Sequence, residues 1–215
     1  MEIINISETG LDQAVFYAKK ILNNQGIIIH PTDTIYGIAG NILEESVYNS
    51  IVDIKQRDLS KAISWQVRSV AQLQELVDIR LLPDEFRLKE FCQAVFPGAI
   101  TIVLPVETAK LPPHLHHLST IGFRIPDHPF CLRLAASLPF PLTTTSANIS
   151  NEPYEANINK IIETFNTSIF HIFTEQKTGL AKPSTVVGID TKGIRLIREG
   201  SVPFVQLKKR FNNDI

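Results

Sequence analysis

Three cations stand within seven residues in Lys55-Gln56-Arg57-Asp58-Leu59-Ser60-Lys61. They follow a segment whose apolar Val47, Ile51 and Ile54 share one helical face, so they complement the negative end of that helix's dipole. The same set equally suits a polyphosphate, with Arg57 offering a planar fork of donors and Lys55 and Lys61 acting as point charges. Spacing alone does not choose between the two. No G-x-x-x-x-G-K-[ST] or G-x-G-x-x-G sequence occurs in the chain. A nucleotide bound here is therefore held by side chains and not by a glycine-rich phosphate loop.

Another cation, Arg124, lies in the apolar run Ile121-Gly122-Phe123-Arg124-Ile125, followed by Pro126-Asp127-His128-Pro129. Burying a guanidinium is costly unless an anion accompanies it. A substrate carboxylate would supply that anion, and so would a structural ion pair with Asp127; both readings stand. Hydroxyl-rich stretches accompany the cations. Gly26 to Gly40 reads GIIIHPTDTIYGIAG, a buried strand running into a polar turn. There Thr32, Asp33, Thr34 and Tyr36 either orient a small polar substrate or form an ordinary Asx or ST turn. Thr143 to Ser150 reads TTTSANIS, a strand end with donors suited to packing closely on a ligand. Pro183-Ser184-Thr185 and Ile197-Arg198-Glu199-Gly200 add a hydroxyl pair and an isolated arginine. His114, His116 and His117 have no carboxylate or cysteine at ligand spacing, so they read as part of a solvated loop and no metal site is expected.

The elements that must position these residues follow the pattern of an α/β domain, short β-branched runs alternating with helical periods. Strand-like runs cover residues 27–30, 62–67, 100–106, 121–125, 142–145, 169–173, 184–189 and 194–197. Helix-like stretches cover 12–22, 44–54, 70–77, 84–95, 130–138 and 158–165. Ser69 followed by Gln72 reads as a capping box at the start of the third of these. Glu107 to Thr120 reads as a connecting loop, and no repeat or linker divides the chain.

Of the 215 residues 44% are hydrophobic and 20% charged, enough for a substantial core and a single domain. With 21 Lys and Arg against 22 Asp and Glu, the formal charge is −1, so an anionic ligand must be held by a local cluster of cations. A uniformly basic nucleic-acid binder is excluded. The start has no signal-peptide pattern and no apolar run approaches the ~18 residues of a membrane span, so a cytoplasmic, membrane-free protein is expected. Cys92 and Cys131 sit in apolar segments and read as reduced core thiols.

Taken in order, HPTDTIYG, KQR-x-x-x-K, FPGAIT, IGFRIPDHP, TTTSANIS, PSTVV and IREG resemble the YrdC-like family from about residue 10 to residue 202. The resemblance implies one YrdC-like domain over residues 1–215, an open twisted α/β sheet with flanking helices and a concave, locally positive cavity. It is to the short type that lacks the extra C-terminal domain of longer members. It implies a threonylcarbamoyl-AMP synthase acting on L-threonine, bicarbonate and ATP, with Mg2+ accompanying the nucleotide and no tightly bound cofactor. A transferase complex would then pass the threonylcarbamoyl group to the adenosine next to the anticodon of tRNA. Carried over by position, threonine would be held by Thr34, Gln66, Arg124, Thr144 and Ser184. ATP would be held by Arg57, Lys61, Thr120, Ser146, Asn148, Tyr154 and Arg198, with Lys55 and Arg57 as the catalytic cations. Three places depart from the family pattern: the Asp58 to Ala62 loop, Gln66 where longer members carry a histidine, and Asn151 where glycine is usual. The alternatives are a YciO-like paralogue, against which the SAN triplet argues, and a module binding tRNA or double-stranded RNA without synthase activity.

Overall fold

The computed structural model describes residues 1–58, 63–82, 85–154, 156–175 and 182–212. Its first half runs β1 (Glu2–Asn5), α1 (Ile6–Thr9), α2 (Leu11–Asn23), β2 (Ile28–His30), β3 (Gly37–Ala39), α3 (Glu45–Ile54), β4 (Trp65–Gln66), α4 (Val70–Gln74) and α5 (Glu85–Val95). The second half runs β5 (Ile100–Pro105), β6 (Thr120–Arg124), α6 (Pro129–Ser137), β7 (Leu142–Thr143), β8 (Thr145–Ser146), α7 (Ile158–Phe165), β9 (His171–Thr174), β10 (Thr185–Asp190), β11 (Gly193–Arg198) and α8 (Phe204–Asn212).

The mixed α/β fold is as expected, but its strands divide between two sheets. One has the order β1-β9-β2-β3-β8 and the other β11-β10-β5-β6-β4-β7. The division falls inside one predicted strand. Leu142 and Thr143 pair with β4 in the second sheet, whereas Thr145 and Ser146 pair with β3 in the first. Thr143 explains where the chain changes sheets: its Oγ1 accepts from the Gly40 N–H at 2.9 Å and donates to the Ile38 carbonyl at 3.2 Å, capping the end of β3. The hydroxyl-rich segment thereby stitches the two sheets together.

Alternation decides which residues the second sheet buries and which it presents. Ile100, Ile102 and Leu104 of β5 and Ile121 and Phe123 of β6 are buried in the core, where Phe123 meets Trp65 edge-on with ring centroids 6.2 Å apart. Each such side chain contributes about 1.5–3 kcal/mol by leaving water. The intervening Thr101 and Val103, and Thr120, Gly122 and Arg124, face the other way and form the floor of a cavity. Arg124 is thus the polar phase of an alternating strand, a placement the apolar run around it concealed.

Four elements lay outside the sequence expectation, one of them α1, a single turn capped by the Asn5 side chain. β1 is four residues long with two exposed, β3 is three residues inside a polar turn, and α8 has few apolar positions. Those few suffice: Leu207 and Phe211 are buried, and Phe211 packs edge-on against Phe91 of α5 at 5.4 Å. The Ser69 cap is present, its Oγ accepting from the Gln72 N–H at 3.2 Å. The Gln72 side chain, however, reaches the Arg68 N–H at 2.9 Å and not that of Ser69, and α4 stops at Gln74 because Val77 pairs with Val106 as a β-bridge. Both cysteines are free and buried. No helix among the described residues is long and apolar enough to cross a membrane.

Candidate active site

Seven of the candidate side chains line one cavity of about 340 Å³, within the range of small-molecule sites. Its floor is the second sheet, and its walls are the β2–β3 turn, the β8 segment and the residues around Ser184 and Arg198. Gly122 keeps the floor low: a Cβ there would lie 2.8 Å from Ser64 Oγ and 3.0 Å from Thr101 Cγ2.

Arg57, Arg124 and Arg198 all line this cavity. Burial lowers the pKa of each guanidinium from its ordinary value, although Asp33 acts in the opposite sense on Arg124 and Tyr48 on Arg57. Three guanidinia around one recess form the local cationic cluster that a chain of net charge −1 requires for an anionic ligand. Hydroxyls from Thr120, Thr144, Ser146 and Ser184 complete the polar lining. Ser184 Oγ lies 2.9 Å from Thr101 Oγ1, and Arg198 donates to the Ser184 carbonyl at 3.0 Å, tying β11 to the start of β10.

Arg124 has an anionic partner, and it is not Asp127. Its Nη2 lies 2.5 Å from Asp33 Oδ1 and 2.7 Å from Thr34 Oγ1, both on the β2–β3 turn, while Asp127 is exposed. Topology brings together residues 91 positions apart, which the nearer acid along the chain obscured. The guanidinium Nε is buried without a hydrogen-bond partner, so the ion pair leaves donor capacity unused.

The other predicted site residues that the structure describes stand behind the wall. Lys55 is 1% exposed and its ammonium donates to the carbonyls of Ser146 and Asn148 at 2.5 and 2.6 Å. Burial, with the Arg57 charge second, pushes its pKa down to about 8. Asn148 Oδ1 accepts from Ser146 Oγ, and its amide donates to the carbonyls of Ile149 and Glu152, so it shapes the loop beneath β8. The Tyr154 hydroxyl accepts from the Tyr36 N–H at 3.0 Å. Gln66 is buried, its amide donating to the Cys131 carbonyl at 2.9 Å while its Oε1 has no partner, and it does not line the cavity. Lys61, with the tip of its loop, lies outside the described residues. Lining residues not anticipated from sequence include Ser64, Thr101, Val103, Ile35, Val186 and Ile197. The period-two phase of Arg124 finds Gly122 and Thr120 on its own strand, whereas Thr101 comes opposite it only through the pairing of β5 with β6; Ser64 carries no such signal. Among the described residues no group of three His, Cys, Asp or Glu side chains could hold a metal, and His114 instead packs on Tyr48 at 5.6 Å.

Comparison with known proteins identifies relatives of this chain. The Sua5/YciO/YrdC family model, described as "Telomere recombination", matches residues 20–200. A Methanocaldococcus jannaschii protein, provisionally named a threonylcarbamoyl-AMP synthase, is 30% identical over 97% of this chain and 96% of its own. The Bacillus subtilis threonylcarbamoyl-AMP synthase is 26% identical over 92% of the chain, which spans 56% of that longer relative. Among solved structures, Pyrococcus abyssi Sua5 complexed with L-threonine superposes with a TM-score of 0.86 at 25% identity, covering 98% of this chain and 61% of its own. Escherichia coli YciO shares the fold, with a TM-score of 0.80 at 22% identity over 96% of this chain and 97% of its own. With the family match running through all the cavity-lining segments, the chain belongs to the Sua5/YciO/YrdC family.

Proposed function

We propose that this chain is a threonylcarbamoyl-AMP synthase, making L-threonylcarbamoyladenylate and pyrophosphate from L-threonine, bicarbonate and ATP. The observation that carries the reading is one cavity lined by three arginines and a ring of hydroxyls, in a family whose relatives bear that name. Such a lining suits a reaction whose nucleophile arrives with the substrates. The neutral threonine amine combines with bicarbonate, losing water, to give a carbamate. A carbamate oxygen then bonds to the α-phosphorus as the bond from that phosphorus to the bridging oxygen breaks, and pyrophosphate leaves with the electron pair. The protein has to hold two anions in line and neutralise charge developing on phosphorus, which cations and hydroxyls achieve.

Arg124, Thr34, Thr144 and Ser184 are assigned to threonine, and Arg57, Thr120, Ser146 and Arg198 to ATP, with Lys61 on the same nucleotide. Apart from Lys61, which lies outside the described residues, all but Thr34 face the cavity, and Thr34 is one hydrogen bond from Arg124. Lys55, Asn148 and Tyr154 act on ATP through the walls they support, and Gln66 acts on threonine through β4, whose register pairs it with Arg124. Mg2+ enters as the counter-ion of the nucleotide. The product is a mixed anhydride, suited to a transferase that acts on tRNA, and the cytoplasm is the compartment assigned to the enzyme on that reading.

Pyrophosphate release tests the assignment. It is expected to require threonine and bicarbonate together, and to fall about tenfold or more with serine, because one lost methyl contact is worth about 1–3 kcal/mol. Equal release without threonine would overturn the reading.

A further inference from the structure

The hydrogen bonds of the β2–β3 turn run in only one direction, and that direction leads away from Arg124. The Thr32 Oγ1 lies 2.7 Å from the Ile35 carbonyl, which can only accept, so the single Thr32 hydroxyl hydrogen is committed there. Thr32 Oγ1 must then accept from its other neighbours, the Thr34 N–H at 3.0 Å and the Thr34 hydroxyl at 3.1 Å. With its own hydrogen given to Thr32, the Thr34 Oγ1 is the acceptor for Arg124 Nη2 at 2.7 Å. The second Nη2 hydrogen goes to Asp33 Oδ1. Thr32, Thr34 and Arg124 are 2%, 1% and 6% exposed, so water does not compete for these bonds.

We propose that Thr32 and Asp33 are positioning residues for the substrate carboxylate, acting through Arg124. This rests on the synthase reading above, which assigns Arg124 to that carboxylate. Both bidentate edges of a guanidinium include one terminal nitrogen in common, here Nη2, and both Nη2 hydrogens are held by the turn. Rotation of the guanidinium plane is therefore fixed before substrate arrives, and Nη1 is the donor left to it, Nε being buried. Thr32 is the far anchor: without its hydroxyl, Thr34 loses the acceptor that orients it, and Arg124 loses one of the two bonds that set its plane. Asp33 supplies the other bond and the charge that makes a buried arginine tolerable.

Steady-state kinetics on Thr32→Val, Thr32→Ser and Asp33→Ala, with melting temperatures measured alongside, test this. The expected result is a rise in threonine KM of about tenfold in Thr32→Val and Asp33→Ala, with ATP KM within about twofold of the parent and recovery in Thr32→Ser. A purely structural loss would instead lower the active fraction and leave both KM values unchanged. Should Thr32→Val not fold, Asp33→Ala decides by the same criterion. Unchanged threonine KM in a folded variant, or equal rises for both substrates, overturns the inference. Threonine calorimetry on Arg124→Ala separates the two levels. Normal binding there overturns the threonine assignment itself, whereas lost binding there together with parental KM in Thr32→Val and Asp33→Ala overturns only the positioning role.

Discussion

Arg57 owes its direction to the residue before it. α3 ends at Ile54, and Gln56 has a φ of 48°, a left-handed turn that sends the chain back so that the Arg57 N–H bonds the Val52 carbonyl at 2.9 Å. The side chain then enters the cavity instead of continuing along the helix. The same conformation recurs at Asn151, whose φ of 67° lies in a region that asparagine tolerates better than other side chains do. Arg57→Ala should raise ATP KM by about tenfold or more, the value of one charge-assisted contact to phosphate, while threonine affinity measured by calorimetry stays near the parent's. An unchanged ATP KM in a folded variant would leave these cations with their helix-terminus role alone.

At the level of elements, the buried lysine joins α3 to the segment that crosses between sheets. Two of its three hydrogens hold the Ser146 and Asn148 carbonyls, and its own carbonyl accepts from the Ser150 N–H at 2.9 Å. Ser146 is thereby presented to the cavity by a residue that does not itself line it. Lys55→Met keeps the length of the stem and removes the ammonium. Unfolding in urea should show a loss of roughly 2–4 kcal/mol, because two buried carbonyls lose a charged donor. ATP KM should rise as the β8 segment loosens. A variant of parental stability would show that water replaces the ammonium at no cost.

Across the whole molecule, acid stability should depend on a histidine that touches no substrate. His30 of β2 is fully buried between the first sheet and α6, with its ring 5.9 Å from that of Phe130. Its Nδ1 donates to the Pro31 carbonyl at 2.9 Å, which leaves a buried Nε2 without a partner. Burial, reinforced by the charges of His128 and Arg124 and opposed by the Pro31 bond, lowers its pKa from 6.5 to about 4. The unfolded chain therefore binds a proton that the folded chain refuses between these values, so this contribution is complete above pH 6.5 and is lost as pH falls towards 4. The loss amounts to about 3 kcal/mol, at about 1.4 kcal/mol per pH unit. His30→Asn retains a donor for Pro31 and cannot titrate. Its unfolding free energy should fall less steeply over that range by about one proton's worth, and an unaltered slope would rule out His30 as the group responsible.

The sequence by itself determined the types of most elements, the buried free thiols, the absence of a glycine-rich phosphate loop and, through seven short motifs in order, the family. These follow from local chemistry: period, turn residues and the spacing of cations and hydroxyls are all written along the chain. Helix α7 needed only Asn157 as its cap and an apolar face, and its limits agree with the expected ones. Only tertiary structure decided what partners those residues have. The anion beside Arg124 is Asp33 and not the nearer Asp127, because β2, β3 and β6 bring positions 91 apart within hydrogen-bond reach. Lys55 faces two carbonyls and not open solvent, because the TTTSANIS segment leaves one sheet for the other directly above it. Local pattern sets which groups a chain can offer, but long-range pairing sets which of them meet, and at this site the pairing separates residues that line the cavity from residues that hold its walls in place.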